Sequence, residues 1–337
     1  MPGRPRVFVT RNLPGNALDL LREMCDVEVW PDEMPPLADE LRDRASEAHG
    51  MVTLLTDRVD EAALDAAPNL VAVSNMATGF DNVDVEAASK HLVLVTRTPG
   101  VLTETSADLA FGLLMAAARR IAEGDRYVRA GKWRTWGPEI MLGPDVYGAT
   151  LGIIGLGRIG RAVARRTQGF GMRVLYNSHE RKPEAEAELG ATYVELDELL
   201  AESDFVSIHA ALTDETRGLI GARELDLMKW TALLINTARG PLVDQEALYE
   251  ALREGVIAGA ALDVTDPEPL SADSPLLTLE NVVITPHIAS ASVATRSEMA
   301  RLAAENLLAC LRGEPNENVV NSEVEEAWLA EAARRLG

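Results

Sequence analysis

The sequence predicts an α/β protein of two doubly wound parallel-sheet domains. Three observations carry this expectation. The chain has 337 residues, more than one small core organises, so two domains is the natural division. Short apolar runs of strand type alternate with helical stretches along most of its length. Near the middle, residues 151–160 read LGIIGLGRIG, where an apolar run enters Gly155-x-Gly157-x-x-Gly160.

Taken in order, strands are expected at 6–10, 27–30, 51–55, 71–74 and 93–95, with helices at 16–24 and 37–47. Pro99-Gly100 breaks the pattern. One long helix is then expected from 103 to about 130, apolar on most sides through Leu109, Phe111, Leu113 and Leu114. Such a helix is buried, between domains or in a subunit interface. Residues 131–148 read as a loop bearing Trp133, Trp136 and Tyr147. Six strand cores follow, at 151–154, 173–176, 205–208, 232–236, 259–263 and 282–285, the number of a complete dinucleotide-binding sheet. A helix at 292–311 and a tail at 323–336 have no strands of their own, so they are expected to return to the first domain. The substrate domain is therefore discontinuous, 1–99 plus 290–337. The cofactor domain is 100–289 and carries the interdomain or dimerisation helix 103–130. Two crossings make a hinge around a cleft.

Apolar residues make up 47% of the chain and charged residues 25%, ordinary for a globular protein. The net charge of -21 argues against nucleic acid or an anionic membrane as a partner. It also requires any site for an organic acid to be locally basic. Cys25 and Cys310 make no metal spacing and no disulfide framework, which fits the cytoplasm, and no metal is expected. No stretch has the run of ~18 apolar residues that a membrane span needs.

Each glycine of the central motif has a task. Gly155 permits a tight turn, Gly157 lets backbone approach a pyrophosphate, and Gly160 lets the following helix pack on the strand. The helix N-terminus adds free N–H groups and the positive end of its dipole. A strand–turn–helix–strand context makes this a Rossmann-type dinucleotide site, beside a flavodoxin-like first domain. Arg239, Glu268 and His287 then fall at or beyond the carboxyl ends of three cofactor-domain strands, where ligands of open α/β sheets bind. Each alone has a bland reading, as a surface arginine, a solvated turn residue or a helix-start histidine. Together they suit hydride transfer to a 2-keto acid. A protonated His supplies the proton, a carboxylate orients the imidazole, and an Arg clamps the substrate carboxylate and polarises the carbonyl. His209 ends a strand and is expected on the adenine side of the cofactor cleft.

The segments ATGFDNVD, TPGVLTETSADLAFGLLMAAAR, GKWRTWGP, GATLGIIGLGRIG, INTARGPLVD, GAALDVTDPEPL and NVVITPHIASAS resemble the D-specific 2-hydroxyacid dehydrogenases, and within them the glyoxylate/hydroxypyruvate reductases. The resemblance spans essentially the whole chain. It implies that Arg239, Glu268 and His287 are the catalytic trio. It implies that backbone N–H groups at Thr78 and Gly79 hold the substrate carboxylate, and that Leu54 and Leu55 wall the pocket. Arg158 and Ile159 would sit at the pyrophosphate, and Asp263 would hold the nicotinamide carboxamide. Ser106, Thr213, Thr237 and Ser290 are further cofactor candidates. Trp136 resembles a tryptophan that a neighbouring subunit places at the active site, which implies a homodimer. Three positions depart from the pattern. PHIAS stands where PHIGS is usual, Ala210-Ala211-Leu212-Thr213 replaces a VPLT, and Ser106 replaces a Thr.

The residue ending the second cofactor-domain strand decides the coenzyme, since an acidic group there binds the ribose 2′-OH and repels a 2′-phosphate. Here the slot holds Asn177 or Ser178, followed by Arg181 and Lys182, so NADP(H) is favoured; Glu180 keeps NAD(H) possible. The expected activity is reduction of glyoxylate or hydroxypyruvate to the D-2-hydroxy acid. Phosphoglycerate- or phosphite-type dehydrogenases are alternatives of the same scaffold, and a dinucleotide-sensing corepressor is an alternative of another class.

Overall fold

The computed structural model describes residues 3–337, which fall into two compact units. One runs to Leu102 and resumes at Ala291–Gly337; the other is Thr103–Ser290.

The first unit opens with β1 (Arg6–Val9), α1 (Ala17–Met24), β2 (Asp26–Val29), α2 (Ala38–Ala45) and β3 (Gly50–Thr53). It continues with α3 (Glu61–Asp65), β4 (Ala72–Asn75), α4 (Val85–Lys90) and β5 (Leu94–Thr96). All five strands are parallel, in the order β2-β1-β3-β4-β5. Alternation along each strand sends side chains to both faces. Phe8, Met51, Val73 and Val95 meet Leu41, Ala45, Leu64 and Ala88 of α2–α4 on one face. Val7, Val9, Val52 and Leu94 meet Leu21 of α1 on the other.

The second unit begins with α5 (Thr103–Ala118) and α6 (Ile121–Arg129), then β6 (Thr150–Ile154), α7 (Arg158–Thr167) and β7 (Arg173–Asn177). Next come α8 (Pro183–Leu189), β8 (Thr192–Tyr193), α9 (Leu196–Glu202), β9 (Phe205–Ile208), α10 (Ala222–Leu227) and β10 (Leu233–Asn236). It closes with α11 (Gln245–Glu254), β11 (Gly259–Leu262) and β12 (Val282–Ile284). The sheet is parallel, in the order β12-β11-β10-β9-β6-β7-β8. Its order reverses direction beside β6, the point at which such sheets bind their ligands. The chain then returns to the first unit as α12 (Val293–Leu311) and α13 (Glu325–Leu336). Ala300, Ala303, Ala304 and Leu307 of α12 fill the face shared with α1. Trp328 of α13 is fully buried and donates from Nε1 to the Val71 carbonyl, 2.9 Å away.

Two expectations need correction. The sheet has seven strands rather than six; β8 has only two residues, too few for any periodic signal, and is held by Tyr193 packed edge-on against Tyr176 at 5.4 Å. The single helix over 103–130 is two helices. Its buried face ends at Ala118, and Arg120 takes a left-handed turn at φ 51° while forking onto Glu123 at 2.6 and 2.7 Å. Gly143 closes this corner, since a Cβ there would stand 2.0 Å from the Ala118 carbonyl oxygen. No residue of α6 is buried.

Candidate active site

The glycine turn follows β6. Gly155 sits at φ 95°, and a Cβ on it would meet the His209–Ala210 backbone at 2.7 Å, so both conformation and space demand glycine. A Cβ on Gly160 would stand 2.3 Å from the Gly155 carbonyl oxygen, which lets α7 lie against the turn. Gly157 differs: nothing of the protein lies within 4 Å of where its Cβ would be. It is the N-cap of α7 and makes no side-chain cap bond, so the first-turn N–H groups after it, at Arg158, Ile159 and Gly160, have no capping side chain. An open glycine over an uncapped helix start fits a pyrophosphate. Beyond β10, the Thr237 hydroxyl is buried and has no hydrogen-bond partner among the described residues, an acceptor or donor left for a bound group. These features fit a dinucleotide.

Other candidate residues are already engaged. Asn177 ends β7, and its Nδ2 donates to the Val194 carbonyl at 3.0 Å, which braces β8. Ser178 Oγ accepts the Leu156 N–H at 2.7 Å and holds the glycine turn itself. Arg181 forks onto Glu186 at 2.8 and 2.9 Å, and this pairing with a Tyr176 hydroxyl bond pulls the Glu186 carboxyl down to about 2. Lys182 pairs with Glu180 at 3.0 Å. Thr213 is exposed and bonds Glu215 at 2.8 Å; Ser106 is buried in the first turns of α5. His209 contacts Ser207 Oγ at 2.8 Å, and burial pushes its imidazole down to about 4, so it is neutral at ordinary pH.

The trio stands at three successive strand ends. Asn236 closes the turn after β10 by donating to the Arg239 carbonyl at 2.8 Å and accepting the Ala238 N–H at 3.0 Å. A Cβ on the following Gly240 would come 1.9 Å from the Thr265 carbonyl oxygen. Only glycine lets the Arg239 turn lie against the 265–268 loop. That loop places Glu268 Oε1 in a short contact with His287 Nδ1. The side chains of both are half-buried, at 35% and 20% exposure.

His287 itself is held at φ 53°, a left-handed conformation costing a histidine on the order of 1–3 kcal/mol. Asp263, 1% exposed, provides the restraint. Its Oδ1 accepts the Thr285 hydroxyl at 2.6 Å and the Ile288 N–H at 2.9 Å; its Oδ2 accepts the Ala289 N–H at 2.8 Å. Its carbonyl accepts the His287 N–H at 2.9 Å. The Asp263 carboxylate is thus turned to the 285–289 loop. Ser290 closes that loop, half-buried.

In the first unit, Leu54 and Leu55 follow β3 and Thr78 and Gly79 follow β4. Among the described residues, the N–H groups of Thr78, Gly79 and Phe80 have no acceptor. Three consecutive unpaired donors are a candidate anion nest. Phe80 belongs to this nest and the sequence reading did not single it out. Trp136 is 78% exposed.

The family model for "D-isomer specific 2-hydroxyacid dehydrogenase, NAD binding domain" matches residues 111–289. A glyoxylate reductase of Korarchaeum cryptofilum is 56% identical over 322 residues, covering 95% of this chain and 97% of that relative. A crystal structure from Thermus thermophilus superposes with a TM-score of 0.89 at 51% identity, covering 94% of this chain and 99% of that one. An NADPH-dependent glyoxylate/hydroxypyruvate reductase of Sinorhizobium meliloti, solved with NADP and malonate, superposes with a TM-score of 0.82 at 34% identity, over 95% and 97% of the two chains. At such identity and coverage, and with a glycine turn and trio of this geometry, the chain belongs to the D-isomer specific 2-hydroxyacid dehydrogenases, as an oxidoreductase with a nicotinamide-binding domain.

Proposed function

We propose that the protein reduces glyoxylate or hydroxypyruvate to the D-2-hydroxy acid. The observation that carries this reading is the Glu268–His287 contact at Nδ1, in a chain 56% identical to a glyoxylate reductase. Glu268 fixes the ring so that Nε2 is the nitrogen that delivers a proton to the carbonyl oxygen. Arg239 pairs with the substrate carboxylate and polarises the carbonyl. The Thr78 and Gly79 N–H groups hold the carboxylate, and Leu54 and Leu55 bound the small substrate. Gly155, Gly157, Arg158, Ile159 and Gly160 hold the coenzyme pyrophosphate, with Ser106, Thr213, Thr237 and Ser290 around the remainder. The reduced nicotinamide supplies the hydride when bound.

NADP(H) is the preferred coenzyme in this reading. No carboxylate occupies the end of β7, where Asn177 and Ser178 stand, and Arg181 lies just beyond. A 2′-phosphate would draw Arg181 from Glu186. The NADP-bound Sinorhizobium reductase supports the same choice. The active form is a homodimer. Ile121 and Val128 on α6, Trp133, Trp136 and Leu142 are all exposed, and a second copy covering them would bury this apolar surface. Among the described residues no helix is long and apolar enough to cross a membrane, and the two cysteines are free, which supports a cytoplasmic enzyme.

Steady-state kinetics on a panel of 2-keto acids with both coenzymes tests this. Glyoxylate or hydroxypyruvate with NADPH is expected to give the highest kcat/KM. A clear NADH advantage would overturn the coenzyme assignment, and coenzyme binding without any turnover would favour the sensing alternative.

A further inference from the structure

The carbonyls around the unpaired N–H groups at Thr78, Gly79 and Phe80 are each tied to a donor, which fixes the planes of these peptides. The Ala77 carbonyl accepts the Thr98 N–H at 2.8 Å, and the Phe80 carbonyl accepts the Val83 N–H at 3.0 Å. The Thr78 carbonyl faces Arg97 Nη1 at 3.5 Å, and that guanidinium rests over the Phe80 ring at 5.5 Å. The Gly79 carbonyl accepts from Asn75 Nδ2 at 3.0 Å. In a trans peptide the N–H lies opposite the C=O, so holding the Thr78 and Gly79 carbonyls aims the Gly79 and Phe80 N–H groups.

Asn75 does not act alone. Its Nδ2 also donates to Asn82 Oδ1 at 2.9 Å, and its Oδ1 accepts the Thr53 hydroxyl at 3.1 Å. Asn82 Nδ2 donates in turn to the Leu54 and Asp57 carbonyls at 3.0 and 2.9 Å. Asp57, buried, accepts the Leu54 N–H at 2.7 Å. One chain of side-chain amides thus ties the loop that carries Leu54 and Leu55 to the loop that carries Thr78 and Gly79. A buried network with its donors satisfied fixes geometry, because any alternative leaves a polar group unpaired.

We propose that Asn75 and Asn82 are positioning residues that set the anion nest against the Leu54 loop, and that Arg97 polarises the nest through the Thr78 carbonyl. Their effect is on the affinity and size selection of the keto acid's carboxylate end, not on the proton or hydride step. The inference rests on the reading that this nest receives the substrate carboxylate. Loss of uniform binding raises KM and leaves kcat nearly unchanged.

The test uses the full-length enzyme with NADP⁺ bound and oxalate, an unreactive dianion, as probe. Oxalate is expected to shift the amide protons of Gly79 and Phe80 in the wild type. Asn75→Leu is expected to weaken oxalate about ten-fold or more, which is about 1.4 kcal/mol. It should raise the KM for glyoxylate in parallel, with kcat within about three-fold and NADPH affinity unchanged. If Asn75→Leu does not retain wild-type NADPH affinity, Arg97→Gln gives the same readout from a half-buried position, with a several-fold loss. Oxalate that binds the wild type without moving these amides would overturn the reading of the nest itself. Amides that move, with oxalate affinity unchanged in the variants, would overturn the positioning role alone.

Discussion

At the residue scale, the chemistry divides between groups that react and groups that hold them. His287 and Glu268 touch; Asp263 turns both carboxylate oxygens to the loop that bends His287 into a left-handed conformation. Arg239→Ala is expected to damage both kcat and KM, since in the proposed function the guanidinium binds the carboxylate and polarises the carbonyl; steady-state kinetics at saturating coenzyme would show it, and a change in KM alone would restrict Arg239 to binding. His209 is the contrasting histidine. Burial holds it neutral down to about pH 4, against an ordinary value near 6.5. The unfolded chain therefore binds this proton first as pH falls below 6.5, and the native state loses stability between that point and about 4. His209→Gln is expected to flatten the fall of Tm with acidification over this window and to leave the pH–rate profile unmoved. A displaced rate profile would mean that His209 takes part in the reaction.

At the element scale, glycines and strand ends build the site. The three strands that carry Arg239, the Glu268 loop and His287 were legible from apolar runs, and so was the helix that follows Gly155-x-Gly157-x-x-Gly160. Gly240 was legible only as part of a motif. Its reason is the Thr265 carbonyl lying 1.9 Å from where a Cβ would be, a long-range approach no local pattern encodes. Gly240→Ala is accordingly expected to lower Tm by several degrees and kcat at least about ten-fold, by pushing the Arg239 turn off the Glu268 loop. An unchanged kcat would show that the spacing of these two loops is not limiting. The broken helix at Arg120 and the two-residue strand at Thr192–Tyr193 escaped the sequence for a similar reason. A left-handed arginine is imposed by where the buried face stops and by Gly143 closing on Ala118, and an edge strand of two residues has no period. Side-chain commitments were hidden too. That Asn177 braces Val194 and Asp263 braces its own loop depends on contacts across strands.

At the scale of the whole molecule, two doubly wound units share one chain, and the return of α12 and α13 makes the first unit from both termini. The sequence showed this because the tail had helices and no strands to pack them on. The same return buries both thiols. Cys310 lies within α12 and Cys25 follows α1, in one apolar cluster, and burial pushes them up to about 12 and about 11. A raised thiol pKa means little thiolate at neutral pH, so neither is expected to react with an aromatic disulfide reagent until the first unit unfolds. Prompt labelling of the native protein would contradict this packing.

The proposed function turns on proton delivery by His287, held by Glu268, to a small keto acid in a chain that binds a reduced nicotinamide. It is tested most directly by following NADPH oxidation with glyoxylate at ~340 nm for the wild type and His287→Ala. Turnover by the wild type is expected, with a kcat lower by about 10²–10⁴-fold in the variant and NADPH affinity retained. Equal rates in the two proteins, or no turnover by a wild type that binds NADPH, would contradict it.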